Sequence, residues 1–129
     1  MAGLTDIRNE LAELLKALGH PDRVRLVEEL NGSEKDVQTL SDTLGVRQAR
    51  VSQHLAVLRA SNVVEDRRDG RHVLYRLAKP TLAAWIILGG ATLVDARPEL
   101  GEDLNTPDEI RLVLEEESEE KDEKNRKKQ

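Results

Sequence analysis

The sequence predicts a mainly helical fold with one small β-hairpin. Between residues 4 and 58, apolar side chains recur at steps of three and four, the period of amphipathic helices. Further along, two alternating segments flank Asp69-Gly70, a pattern typical of a hairpin. Aromatic residues make up only 2% of the chain, so Leu, Val, Ile and Ala must build the core. A length of 129 residues favours one such domain.

The first two predicted helices have clear ends. Gly19 follows the first helix, and Pro21 opens the second at a first-turn position, where a missing N–H costs nothing. His20, beside Pro21, is interpreted as a turn or cap residue, and Asn31-Gly32 is a stop signal. The apolar face of the first helix consists of Leu4, Ile7, Leu11, Leu14, Leu15 and Leu18.

The next two helices are predicted to meet at a tight turn. Ser33 is the predicted N-cap of the third helix, which ends at Gly45, and the fourth begins near Arg47. The core positions of the fourth helix are Val51, Leu55 and Leu58. Its polar residues are then expected to face solvent or a partner: Arg47, Gln48, Arg50, Gln53, His54 and Arg59.

The hairpin is predicted from residues 63–68 and 71–77, with the bend at Asp69-Gly70. Arginines cluster around this bend. Residues 47–76 hold seven arginines against three acidic residues, a local charge of +4, although the whole chain carries −5. The acidity comes from residues 97–129, with 7 Lys+Arg and 12 Asp+Glu. Helix, turn, helix and basic hairpin together indicate DNA as the partner.

The stretch from Thr81 to Val94 is apolar on all sides, so its helix requires burial all round. So small a domain cannot provide this cover alone, and a second copy of the chain is the simplest cover. The most apolar stretch, Leu82–Val94, spans 13 residues, fewer than the ~20 that a membrane helix needs. We therefore expect a soluble, cytoplasmic homodimer.

The predicted domain covers residues 1–97, and residues 98–129 form an acidic extension. A short helix is possible over residues 107–117, since Thr106-Pro107-Asp108-Glu109 resembles a capped helix start. After it, an almost wholly charged or amide composition predicts disorder.

No catalytic assembly is predicted. The chain has no Cys and no Gly-rich phosphate loop, so we expect neither an enzyme nor a cofactor. The three histidines, His20, His54 and His72, fall in different predicted elements. A metal site shared by them is therefore not expected.

In residues 11–95 the chain resembles the ArsR/SmtB family of winged helix-turn-helix transcriptional regulators. The motifs that carry the resemblance are Leu15–Leu26 (LKALGHPDRVRL), Val51–Arg59 (VSQHLAVLR) and Arg67–Leu77 (RRDGRHVLYRL). The resemblance implies a dimeric repressor, packed through its first and last helices, that binds a palindromic operator and is released by an inducer. The sequence does not identify the inducer.

The family's familiar metal-sensing residues are missing. Asp36 and Gln38 occupy the positions of its Cys-x-Cys pair. The positions of its Asp, His, His and carboxylate ligands hold Lys79, Thr81, Thr92 and Asp95. A single surviving carboxylate does not bind a transition metal.

The candidate DNA-reading residues are Gln48, Arg50 and Gln53, because Arg and Gln present paired groups that match base edges in the major groove. Other contacts are assigned to phosphate, packing or the minor groove: Arg47, Ser52 and His54 on the helix, and Arg67, Arg68, Arg71 and His72 on the hairpin. The candidate dimer residues are Leu4, Ile7, Leu11, Leu82, Trp85, Ile86, Gly89 and Leu93.

Three alternatives remain at this point. The same fold can serve as a protein-interaction module. A DNA-binding regulator of this kind can instead respond to a non-metal ligand, or to a metal held by an unusual carboxylate site.

Overall fold

The structure, a computed structural model, describes residues 4–99 and 122–128. In these ranges the elements follow the order α1 (Leu4–Leu18), α2 (Pro21–Glu29), α3 (Val37–Leu44), α4 (Gln48–Ala60), β1 (Val64–Asp69), β2 (His72–Leu77) and α5 (Thr81–Ala96). The predicted fold class is confirmed. The chain divides into two compact units within α5, after Ala83, and each is described by itself.

Helices α2, α3 and α4 share the core of the first unit. Its fully buried side chains come from each of these helices and from the start of the hairpin: Leu26, Val27, Leu30, Leu40, Val51, Leu55, Leu58, Val63 and Val64. Burying one such side chain contributes about 1.5–3 kcal/mol. All three core positions predicted for α4, Val51, Leu55 and Leu58, are confirmed at 0% exposure. The core therefore fixes which face of α4 is directed outward.

The turn between α3 and α4 forms at Gly45, as predicted. Gly45 has φ +67°, a left-handed conformation that glycine adopts without strain, and its N–H donates to the Ser41 carbonyl at 2.9 Å. The Arg25 guanidinium of α2 donates to the Leu44 carbonyl at 3.0 Å. This contact satisfies a free carbonyl at the end of α3 and ties α2 to the helix pair.

The N-cap of α3 is Asp36, so the prediction of Ser33 is wrong. The Asp36 carboxylate accepts a hydrogen bond from the Thr39 N–H at 2.7 Å. Hydrogen bonds from the side chain and the backbone of Thr39 lower the pKa of Asp36. The helix cannot start earlier because Lys35 is extended and forms a β-bridge with Tyr75. The Ser33 hydroxyl instead donates to the Glu29 carbonyl at the end of α2.

Strands β1 and β2 form the predicted antiparallel hairpin, with its bend one residue later than expected. Asp69 pairs with His72, so Gly70 and Arg71 are the two turn residues. Only Gly70 has a positive φ, +61°, which is the pattern of a type II′ turn. Arg71 therefore stands at the tip of the hairpin.

Helices α1 and α5 each keep several large apolar side chains in contact with solvent. On α1, Ile7 is 57% and Leu15 is 56% exposed. On α5, Trp85, Leu88 and Leu93 are each about half exposed. In the described ranges, no helix is long and apolar enough to cross a membrane.

The possible helix at residues 107–117 lies outside the described residues. Farther along, residues 122–127 are helical with exposed side chains, where the sequence predicts disorder. An ion pair of 3.1 Å between Lys127 Nζ and Glu123 Oε1, one helical turn apart, stabilises this segment locally.

Candidate nucleic-acid interface

The outward face of α4 carries a continuous set of polar side chains. Arg47, Gln48, Arg50, Ser52 and Gln53 are all exposed, as predicted. Arg47 occupies the N-cap position, but its side chain makes no capping hydrogen bond. Among the described residues, the guanidinium groups of Arg47 and Arg50 have no ion-pair partner. The start of α4 therefore presents free donors and acceptors on a rigid helix whose opposite face is buried.

The arginines of the hairpin divide into bound and free groups. Arg67 Nε donates to Glu34 Oε2 at 2.6 Å, and Arg76 Nε donates to Glu65 Oε1 at 2.7 Å. Arg68 and Arg71 are exposed, and within the described part of the chain neither forms an ion pair. Arg68 and Arg71 are thus the hairpin cations available to a phosphate, whereas Arg67 is already partly neutralised.

His72 lies next to the hairpin tip, where its Nδ1 is 3.4 Å from Asp36 Oδ2. Its side chain remains 68% exposed. The hairpin is also attached to the α2–α3 connection, since Lys35 and Tyr75 exchange backbone hydrogen bonds of 3.0 and 2.9 Å. Sequence reasoning missed this attachment and the Glu34–Arg67 pair, because neither follows a local pattern.

The expectation that His54 faces outward is wrong. His54 is only 8% exposed, with its Nδ1 3.4 Å from Arg23 Nη1 and its Nε2 3.6 Å from Asp22 Oδ2. Position 54 comes three residues after Val51 and four before Leu58, on the same helical stripe as these core residues. We therefore exclude His54 from the DNA contacts.

The N-terminus of α2 packs against this histidine. His20 caps α2, as interpreted, because its Nδ1 accepts a hydrogen bond from the Asp22 N–H at 3.0 Å. Its ring centroid lies 4.4 Å from that of His54. The histidines at 20 and 54 are therefore neighbours, contrary to the expectation from their separate elements.

Burial lowers the pKa of His54 below its usual 6.5, and electrostatic interactions with His20 and Arg23 lower it further. The Asp22 carboxylate acts in the opposite direction. The neutral imidazole is therefore favoured. Among the described residues, His54 Nε2 is the buried side-chain atom without a hydrogen-bond partner.

The predicted dimer residues differ in how much of each residue is exposed to solvent and so free to contact a second copy. Ile7, Leu11, Trp85 and Leu93 are 57%, 39%, 49% and 54% exposed. Ile86 is half-buried and Gly89 is exposed. Leu82 is only 7% exposed, so it is a core residue of the single chain and its assignment to the interface is corrected. The side chain of Leu4 lies outside the described part of the structure.

Comparison with known proteins agrees with this architecture. Residues 20–66 match the family model described as bacterial regulatory protein, arsR family. The chain is 43% identical over 98 residues to the HTH-type transcriptional repressor SmtB of Mycobacterium tuberculosis, covering 76% of this chain and 67% of that protein.

Two solved structures are also similar. The transcriptional repressor BigR of Xylella fastidiosa is 39% identical with a TM-score of 0.57, covering 66% of this chain and 90% of that one. A homodimeric winged helix-turn-helix DNA-binding domain from Mycobacterium bovis, described as a possible ArsR-family regulator, is 26% identical with a TM-score of 0.63, covering 75% and 93% of the two chains. In sequence and in fold, the chain belongs to the ArsR family of winged helix-turn-helix transcriptional regulators.

Proposed function

We propose that this protein is a homodimeric, sequence-specific DNA-binding repressor of the cytoplasm. The single observation that carries the proposal is the division of α4 into two faces. Val51, Leu55 and Leu58 are fully buried, while Gln48, Arg50 and Gln53 on the other side are exposed. A helix held in this way can enter the major groove without losing its core contacts. Similar proteins are named as transcriptional repressors, which supports repression rather than activation of transcription.

Each part of this surface has a distinct proposed role. Gln48, Arg50 and Gln53 read base edges, because Arg pairs with guanine and Gln with adenine through two hydrogen bonds. Arg47 and Ser52, at the start of α4, contact phosphate groups. The hairpin contributes its exposed residues Arg67, Arg68, Arg71 and His72 to the flanking backbone or minor groove, with the free cations Arg68 and Arg71 as the main contacts.

A second copy of the chain completes the proposed repressor. The exposed apolar residues of α1 and of α5 are the surfaces that association would bury. A groove of about 760 Å³ lies beside α1 and is lined in part by Ile7, Leu11 and Leu14. The homodimeric domain from Mycobacterium bovis supports this assembly. Two copies present two α4 helices to half-sites about one DNA turn apart in a palindromic operator.

The test is a footprint on DNA upstream of the protein's own gene, followed by affinity measurements on the protected fragment. Replacing Arg50 by Ala is expected to weaken operator binding by about 1–3 kcal/mol and to relax the preference at one base pair. Arg97→Ala is a matched control, since Arg97 is exposed beyond α5. Wild-type protein that protects no specific sequence would instead favour the protein-interaction module. An Arg50→Ala variant with unchanged sequence preference would remove Arg50 from the base-reading set.

A further inference from the structure

A cluster of metal-binding groups lies where the N-terminus of α2 meets α4. His20, Asp22 and His54 each offer one donor atom, and these atoms lie within 4.8 Å of one another. Two imidazole nitrogens and one carboxylate oxygen are a donor set that Zn²⁺ and related divalent ions bind, with a further position for water. None of the proposed DNA contacts uses these three side chains.

The unpartnered nitrogen of His54 points independently to a ligand. This Nε2 is buried and, in the described ranges, accepts or donates no hydrogen bond. It lies 3.6 Å from Asp22 Oδ2, beyond an ordinary hydrogen bond. A buried polar atom without a partner destabilises the fold. A cation bound to both groups would satisfy the nitrogen and the carboxylate together.

We infer that His20, Asp22 and His54 form a binding site for a divalent transition-metal ion such as Zn²⁺. Bonds of about 2.0–2.2 Å hold tetrahedral ligands roughly 3.3–3.6 Å apart. The oxygen of Asp22 and the nitrogen of His54 already have nearly this separation, 3.6 Å. Closing the cluster requires its most distant donor atoms, at most 4.8 Å apart, to approach by about 1 Å.

Metal binding would break two contacts that are present without metal: the His20 cap of α2 and the contact between Arg23 and His54. A neutral imidazole has one lone pair, so His20 cannot bind a metal and also accept the Asp22 N–H. When His54 binds through Nε2, its proton moves to Nδ1, which now faces Arg23 Nη1 at 3.4 Å. Two donors cannot share this position, so the guanidinium of Arg23 must move away. Both exchanges lie at the contact between α2 and α4.

The loss of these two contacts would connect metal binding to operator binding. This step rests on the proposed DNA binding by α4. Displacing Arg23 and the His20 cap shifts α4 relative to α2, and paired contacts of Gln48 and Arg50 with base edges tolerate little misplacement. Metal therefore lowers operator affinity. By linkage, operator DNA lowers metal affinity by the same factor.

The site is tested first on the full-length protein without DNA. Co²⁺ absorption and competition with Zn²⁺ measure affinity for wild type, His20→Asn, Asp22→Asn and the control His72→Asn. Asn at position 20 keeps an N-cap oxygen, so α2 retains its start while losing the imidazole. We expect both cluster variants to lose about tenfold or more in Zn²⁺ affinity, and the control to match wild type. Equal affinity in all four proteins would overturn the site.

A second readout follows the backbone amide of Asp22 by NMR during Zn²⁺ titration. Loss of its hydrogen bond to His20 is expected to move this resonance in wild type. The Asp22 amide of His20→Asn is expected to stay in place because no imidazole leaves the cap. An unmoved resonance in metal-saturated wild type would exclude His20 as a ligand.

Regulation is tested by operator affinity with and without Zn²⁺ at fixed ionic strength. The affinity of wild type and of the exposed control Arg97→Ala should fall on adding Zn²⁺, and that of His20→Asn should not change. Equal wild-type affinity in both conditions would overturn the regulatory role. The two proposals can fail separately, since metal binding is measured without DNA and operator binding is also measured without metal.

Discussion

The helices behind the proposed DNA-reading surface and the apolar residues of α1 and α5 differ in how far a single chain buries their side chains. The core residues of α2, α3 and α4 are buried by the chain itself, and the turn between α3 and α4 is closed by hydrogen bonds at Gly45 and Arg25. On α5, by contrast, Trp85 and Leu93 stay about half exposed. The proposed reading surface is thus complete in one protomer, whereas the apolar surfaces of α1 and α5 are left for the proposed dimer to bury.

The difference means that folding and assembly can be perturbed separately. The largest expected effect comes from truncating the shared core at Leu55→Ala. Leu55 is at 0% exposure, so its loss removes buried apolar area and leaves a cavity costing about 2–5 kcal/mol of unfolding free energy. Denaturant titration measures the loss of unfolding free energy, and Val57→Ala on the same helix is the control. Val57 is 40% exposed, so its truncation should cost much less unfolding free energy. An equal loss in both variants would show that the burial of Leu55 does not determine its contribution to stability.

Assembly is perturbed by Trp85→Ala. We expect the dimer to dissociate about 30-fold more readily, roughly the 2 kcal/mol of a central aromatic contact. Sedimentation equilibrium measures the dissociation constant, and Gln38→Ala on the exposed side of α3 is the control. A wild-type chain that stays monomeric at working concentrations would refute the proposed dimer. An unchanged constant in Trp85→Ala would move the interface away from this side chain.

The sequence predicted the elements well because their signals are local. Apolar spacing, Pro21 and Gly45 locate the helices, and Gly70 locates the hairpin to within one residue. The errors arise where distant residues meet. Lys35 forms a β-bridge with Tyr75, so α3 starts later than predicted. No local sequence pattern indicates that bridge.

The candidate site shows the same limit. The exposed polar residues of α4 follow from helical periodicity alone. The face of His54 was also available from its spacing to Val51 and Leu58, but its polar character argued against burial. Its neighbours, His20 and Asp22, are more than thirty residues away in sequence, and only the packing of α2 on α4 brings them together.

A smaller effect distinguishes free from bound arginines in the hairpin. Arg71→Ala is expected to weaken operator binding and to reduce the slope of log affinity against log salt by about 1. Arg67→Ala should reduce the slope less, because Glu34 already neutralises this guanidinium at 2.6 Å. Titrations across a range of salt concentrations measure both slopes. Glu34→Gln should strengthen binding, and equal slopes for both arginine variants would show that the ion pair opens on DNA.

The smallest expected effect is a pH dependence in the metal-free protein. The pKa of His54 is lowered in the folded state by burial and by electrostatic interactions with His20, Arg23 and Arg50, against the opposing charge of Asp22. The unfolded chain therefore binds the proton more readily, and stability is lost as the pH falls below 6.5.

Urea unfolding with a chelator, between about pH 8 and about pH 5.5, measures this loss. Asp36 does not contribute in this window, because its lowered pKa places its titration below 3.8. His54→Asn should flatten the dependence, whereas His72→Asn should retain it, since His72 is 68% exposed. Equal dependence in both variants would show that the buried histidine is not the group that links folding to pH.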